Sequence, residues 1–133
     1  MMIRNIYFMF FICMFMLAMA ACTSKPKEKF KNIDSDRFEQ MIGNENIQCV
    51  DVRKASEFND GHIKGALNIN VLDDNFALMA ESLLTPDFPV AVYCRSGKRS
   101  RKAAKILTQK GFRVYNLDKG IENWKELGKE IEK

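Results

Sequence analysis

From residue 30 onward the chain alternates between two hydrophobic periods. Short runs rich in β-formers recur, and between them apolar residues return at helical spacing. In chain order this predicts a strand at 30–33 and a helix from an Asp34 or Ser35 cap through Met41, with Phe38, Met41 and Ile42 on one face and Gly43 as its stop. A second strand at 47–52 precedes a short helix at 54–59 that ends at Asp60-Gly61. A third strand at 66–70 leads into a helix at 73–84 with Phe76, Met79, Ala80 and Leu83 inward. Val90–Tyr93 forms the fourth strand, and Ala103, Ala104, Ile106 and Leu107 mark the helix after it. Gly111 stops that helix, a fifth strand follows at 113–116, and a last helix runs over 120–127. Regular alternation of this kind predicts an α/β fold. The expected form is one domain with a five-stranded, mainly parallel sheet and helices on both faces. Ligands of such sheets sit at the carboxyl ends of the strands.

The first 29 residues follow a different pattern. Residues 6–21 form an uninterrupted apolar run, and Arg4 is the only charge before Lys25. That run is short for a membrane span, which needs about 20 residues, but suits the core of a signal peptide. It ends M-A-A-C at Cys22, which resembles a bacterial lipobox. The expectation is a lipoprotein signal peptide over 1–21, a lipid on Cys22, a polar tether over 22–29 and a folded domain over 30–133. The folded part is then expected in the bacterial cell envelope, anchored by lipid outside the cytoplasmic membrane, on the periplasmic side.

Composition changes this picture little. The 133 residues are 47% hydrophobic with a formal net charge of +4. That charge is mild and gathered near one loop, so it does not argue for nucleic acid. No Cys/His spacing resembles a metal site. With Cys13 in the apolar run and Cys22 assigned to lipid, Cys49 and Cys94 remain in the domain. Cys49, on the second strand, reads as a core residue, with a resolving thiol for Cys94 as the alternative.

Chemistry concentrates at residues 94–99, the loop between the fourth strand and its helix. The loop's N–H groups and the helix N-terminus make an anion-binding cup above the Cys94 sulfur. Arg95, Lys98, Arg99 and Arg101 crowd that N-terminus. There each exposed cation is disfavoured by about 0.3–1 kcal/mol, since the helix dipole is already positive. An anion in the cup removes the conflict, and such surroundings lower a cysteine pKa. Cys94 is therefore the candidate nucleophile. Arg95, Ser96, Gly97, Lys98 and Arg99 are the candidate anion-binding residues. Elsewhere, Arg53 and Glu57 read as an i, i+4 ion pair. Trp124 reads as core, and Asp51 as either a cap or a support for the loop.

Three segments resemble the rhodanese-like family of sulfurtransferases. V-D-V-R-K-A-S-E-F-N-D-G-H-I-K-G-A-L-N-I at 50–69 resembles its signature, Y-C-R-S-G-K-R-S at 93–100 its active-site loop, and V-Y-N-L-D-K-G-I-E-N-W at 114–124 its C-terminal signature. Lys119 stands where the first of two glycines is usual. The resemblance implies a structural, hydrogen-bonding role for His62. It also implies two-step sulfur transfer without cofactor or metal. Cys94 takes sulfur from a small anionic donor such as thiosulfate, holds it as a persulfide, and delivers it to a thiophilic acceptor whose identity the sequence does not give. Two rivals stand beside this reading. One is a non-catalytic tethered module that carries sulfur or binds a partner. The other is a phosphatase or arsenate reductase, which needs an arginine six residues after the cysteine, where this chain has Ser100.

Overall fold

The computed structural model describes residues 29–133, so the expected signal peptide, Cys22 and all of the tether but Lys29 lie outside the described residues. Seven strands are present there: β1 (Lys31–Ile33), β2 (Gln48–Asp51), β3 (His62–Ile63), β4 (Leu67–Asn68), β5 (Val90–Tyr93), β6 (Val114–Leu117) and β7 (Ile131–Glu132). Five helices intervene: α1 (Ser35–Ile42), α2 (Ala55–Asp60), α3 (Phe76–Leu83), α4 (Lys98–Gln109) and α5 (Gly120–Glu126). The main sheet has the order β1-β6-β5-β2-β4, and every pairing in it is parallel. The fold is α/β, as the alternation predicts.

The central strands are buried on both sides, which is why they read as continuous apolar runs. On one face Val50, Val52, Val92 and Val114 pack under Phe76 and Ala80 of α3 and Ala103, Ala104 and Leu107 of α4. On the other, Cys49, Ala91 and Tyr93 meet Phe38 of α1 and Ile121 and Trp124 of α5. Phe38 stands edge-on to both Tyr93 and Trp124, at ring-centroid distances of 6.2 and 6.0 Å. Trp124 is core, and its indole N–H donates to the Glu130 carbonyl at 2.9 Å.

Local chemistry sets the element ends. Asp34, not Ser35, caps α1, its carboxylate accepting the Arg37 N–H at 2.8 Å. Ser35 instead donates to Asn123 of α5 at 2.9 Å. The helix expected at 73–84 starts later, at Phe76. Asn70 draws the preceding residues into turns, its side chain accepting the Leu72 N–H and its carbonyl the Asp73 N–H. That helix packs on its Phe76, Ala80, Leu84 row, so Met79 and Leu83, expected inward, are 42% and 48% exposed. The strand expected at 66–70 shrinks to β4 at the sheet edge. Just before it, β3 pairs antiparallel with β7 in a second, two-stranded sheet. His62 lies there as a structural residue. Its ring stacks on Phe58 at 3.7 Å, with Nδ1 3.0 Å from the Phe58 carbonyl and Nε2 3.2 Å from the Glu132 carboxylate.

Candidate active site

Cys94 follows the last residue of β5 at the carboxyl end of the sheet and is 1% exposed. Its Sγ receives the Gly97 N–H at 3.1 Å. The chain achieves this return because Gly97 takes φ +102°, a conformation that disfavours L side chains. A Cβ at Gly97 would also overlap the Asp118 carbonyl. Reciprocally, Gly120 takes φ +66°, and a Cβ there would overlap the Arg95 carbonyl. The loop and the turn into α5 therefore interlock, backbone against backbone. Lys119 sits in this turn at φ −100°, open to any residue, so only the second of the two usual glycines is required.

Hydrogen bonds orient the interlocked loop. The first-turn N–H groups of α5 would otherwise be orphans. Ile121 N–H donates instead to the Cys94 carbonyl at 2.9 Å, and Glu122 N–H to the Arg95 carbonyl at 3.1 Å. With those carbonyls turned outward, the amides of Ser96, Gly97 and Ser100 serve the sulfur. The Ser100 hydroxyl, fully buried, reaches both the Gly97 carbonyl at 3.1 Å and the Cys94 sulfur. It has one proton to donate, and an ionised sulfur is the stronger acceptor. Burial pushes the Cys94 thiol up, but the Ser100 hydroxyl and the three amides outweigh it and hold the thiol below its usual range. Sequence reasoning noticed Ser100 only as a missing arginine. Its signal was a small hydroxyl one turn into α4, where a side chain can turn back to the loop.

The loop's cations are distributed differently from expectation. Arg99 forks onto the Glu57 carboxylate at 2.7 and 2.9 Å, tying α4 to α2. That hydrogen-bonded fork is the main reason Glu57 is held below the usual carboxylate range. Arg101 meets Asp118 at 3.0 Å, and Arg95 lies 3.8 Å from Glu122. Lys98 has no ion-pair partner among the described residues. The expected Arg53–Glu57 pair is replaced. Arg53 precedes α2, so helical spacing does not apply to it. Its guanidinium closes on the fully buried Asp51 carboxylate at 2.7 Å and on the Gly61 carbonyl, also at 2.7 Å. Asp51 thus anchors Arg53 and accepts the Arg53 N–H at 2.9 Å.

Cys49 is placed away from this chemistry. It pairs in register with Ala91 and points into the core face opposite that of Cys94. Three residues of strand separate Ala91 from Cys94, about 10 Å. Cα atoms must come within about 7 Å to be bridged, so the resolving-thiol alternative fails. Among the described residues no three His, Cys, Asp or Glu side chains gather to hold a metal.

Comparison with known proteins places this arrangement. The rhodanese-like domain family matches residues 34–127. The thiosulfate sulfurtransferase GlpE of Shewanella oneidensis is 38% identical over 98 residues, covering 73% of this chain and 94% of that protein. A sulfurtransferase of Allochromatium vinosum is 36% identical over 98 residues, 72% of this chain and 89% of its own. Among solved structures, a rhodanese-related protein of Thermoplasma volcanium superimposes with a TM-score of 0.68 at 26% identity, over 77% of this chain and 98% of that one.

Proposed function

Because the chain belongs to the rhodanese-like domain family and carries rhodanese-type sulfur transfer, we propose that Cys94 is its nucleophile and thiosulfate its donor. One observation carries the reading: a buried sulfur held by the Gly97 N–H at 3.1 Å, with burial outweighed by Ser100 and the loop amides. The Cys94 thiolate attacks the outer sulfur of thiosulfate. The new S–S bond forms as the old one breaks, and its electron pair leaves with sulfite. The persulfide that remains is again an anion, so the N–H groups of the same cup hold it between the two steps. A thiolate prepared in this way needs no separate base.

Arg95, Ser96, Gly97, Lys98 and Arg99 are proposed to bind the donor, with unequal shares. Gly97 and Ser96 act through backbone N–H groups. Lys98, without an ion-pair partner among the described residues, offers its cation, whereas Arg95 and Arg99 face carboxylates. No arginine occupies the position of Ser100, which favours sulfur over phosphoryl chemistry. Intact-mass analysis after thiosulfate treatment tests the proposal. One added sulfur that maps to Cys94 supports it; none, or one on Cys49, overturns it.

We further propose that Cys22 carries lipid and holds the domain in the bacterial cell envelope, on the M-A-A-C that closes the apolar run. A fatty-acid probe should label the parent chain and spare Cys22→Ala. Equal labelling of both would overturn the assignment.

A further inference from the structure

Every pairing in the main sheet is parallel, so the strands start at one pole of the domain and Cys94 stands at the other. Phe30 leads the chain into β1 at the pole without Cys94. The turns 43–47, 84–89 and 110–113 meet there too, since α1, α3 and α4 each return the chain to a strand start. Hydrogen bonds fasten them together. The Pro89 carbonyl accepts the Gln48 N–H at 3.0 Å, the Arg113 carbonyl accepts the Val90 N–H at 2.8 Å, and the Gln48 side-chain amide donates to the Thr85 and Phe88 carbonyls at 2.8 and 3.0 Å. The surface they build is cationic and apolar. Lys29, Lys31 and Arg113 are exposed at the starts of β1 and β6, and Lys105 one turn before the end of α4. Lys31, Lys105 and Arg113 have no ion-pair partner among the described residues. Glu45 and Asp87 are exposed against them, while Glu81 is taken by Lys110 at 3.5 Å. Beside the cations, Phe88 and Leu83 are 40% and 48% exposed.

We propose that this pole seats on an anionic lipid surface, with its cations against phosphate headgroups and Phe88 and Leu83 in the interface. The proposal rests on the lipid proposed for Cys22. Seven residues, 23–29, join that cysteine to Phe30, and they span about 25 Å at most. They carry Lys25, Lys27 and Lys29 against Glu28, so they continue the charge of the pole they enter. One cation near such a surface gains about fivefold in partition, so a few of them hold a free protein only weakly. A tether this short keeps the pole at an effective concentration in the millimolar range, which turns a weak attraction into a populated orientation. The tether and the cations act at the same pole, so they favour the same orientation. Cys94, about 13 Å further along β5, then faces away from the lipid, and its donor arrives from the aqueous side.

The test uses the lipid-bearing chain isolated from bacterial membranes and placed on vesicles. Half of the lipid is brominated phosphatidylcholine, a quencher of tryptophan, and the rest is either phosphatidylglycerol or plain phosphatidylcholine. Trp124, the only tryptophan, is buried and supplies the baseline. Phe88→Trp adds a reporter at the seated pole, and Lys119→Trp adds one at the Cys94 pole. Phosphatidylglycerol vesicles should quench the added emission of Phe88→Trp and spare that of Lys119→Trp. Neutral vesicles, or about 1 M salt, should quench Phe88→Trp several-fold less. Lys31→Gln and Arg113→Gln, each made in the Phe88→Trp chain, should lower the ratio of seated to free orientations about fivefold. Quenching at the Cys94 pole, at both poles alike, or at Phe88→Trp regardless of lipid charge overturns the seat alone. So does a vesicle-bound chain quenched at neither pole, which leaves this surface to water or to a protein partner. A chain that floats with neither kind of vesicle overturns the anchor on Cys22 and this proposal with it.

Discussion

Cys49 in β2 and Cys94 at the end of neighbouring β5 are both buried, at 9% and 1% exposure, yet their environments drive them in opposite directions. Burial pushes the Cys49 thiol up, and the Asp51 carboxylate on the same face adds to it. Cys94 carries the same burden of burial, and hydrogen-bond donors overturn it. What separates a core thiol from the proposed nucleophile here is the direction of a few N–H and O–H bonds. Solvent access does not distinguish them, and the nearby cations are second to the donors.

The comparison breaks most completely by exchanging the sulfurs. Cys94→Ser should abolish persulfide formation and thiocyanate production from thiosulfate and cyanide, with the fold intact by circular dichroism. Cys49→Ser should keep most of the activity and lower stability by about 1–2 kcal/mol, the cost of a hydroxyl in that core, read by urea melts. Next in size is the interlock. Gly120→Ala sets a methyl against the Arg95 carbonyl and should cost about 1–3 kcal/mol while removing most activity, whereas Lys119→Gly, at an ordinary φ, should leave turnover unchanged. The pair measured side by side shows that the second glycine alone is required.

Ser100→Ala sharpens the comparison at one proton. Losing a donor to a charged sulfur should reduce thiosulfate turnover near neutral pH by about tenfold. The pH midpoint of Cys94 alkylation should move up toward that of an ordinary thiol. The sign in stability follows. A thiol held low in the fold favours folding above its unfolded pKa, and that contribution is lost as pH falls through the folded value. Ser100→Ala should therefore lower the melting temperature more in alkaline than in acidic buffer. The smallest effect belongs to the cations. Because Arg95 and Arg99 face carboxylates, Arg95→Ala, Lys98→Ala and Arg99→Ala should each weaken thiosulfate use by about two- to fivefold, Lys98→Ala the most, measured as kcat/KM.

These outcomes mark how far the sequence could be read. The alternation of strand and helix was legible because central parallel strands must be apolar on both faces, and the loop at Cys94 because one glycine and four cations stand at a strand-to-helix junction. Charge pairing was not. Arg53 and Glu57 have helical spacing in the sequence, but Arg53 lies before the helix and turns to a buried Asp51, and Glu57 is taken by Arg99, 42 residues away. Met79 and Leu83 fit an inward face as well as Leu84 does, and only the packing of α3 decides between those rows. Two-residue strands such as β3 and β7 leave no periodicity to detect.

The pairing of β3 with β7 also has a consequence in time. His62 waits for Glu132 across 70 residues, and β1 for Asn116 of β6 across 84. Both closures join segments 70 or more residues apart, so folding should be slow for a domain of this size. A chain lacking residues 131–133 would still hold the loop and Cys94. It would leave the 61–65 turn without its clasp, including the Glu132 carboxylate that accepts the Gly65 N–H at 3.1 Å. Residues 131–132 are therefore the ones that fasten the 61–65 turn.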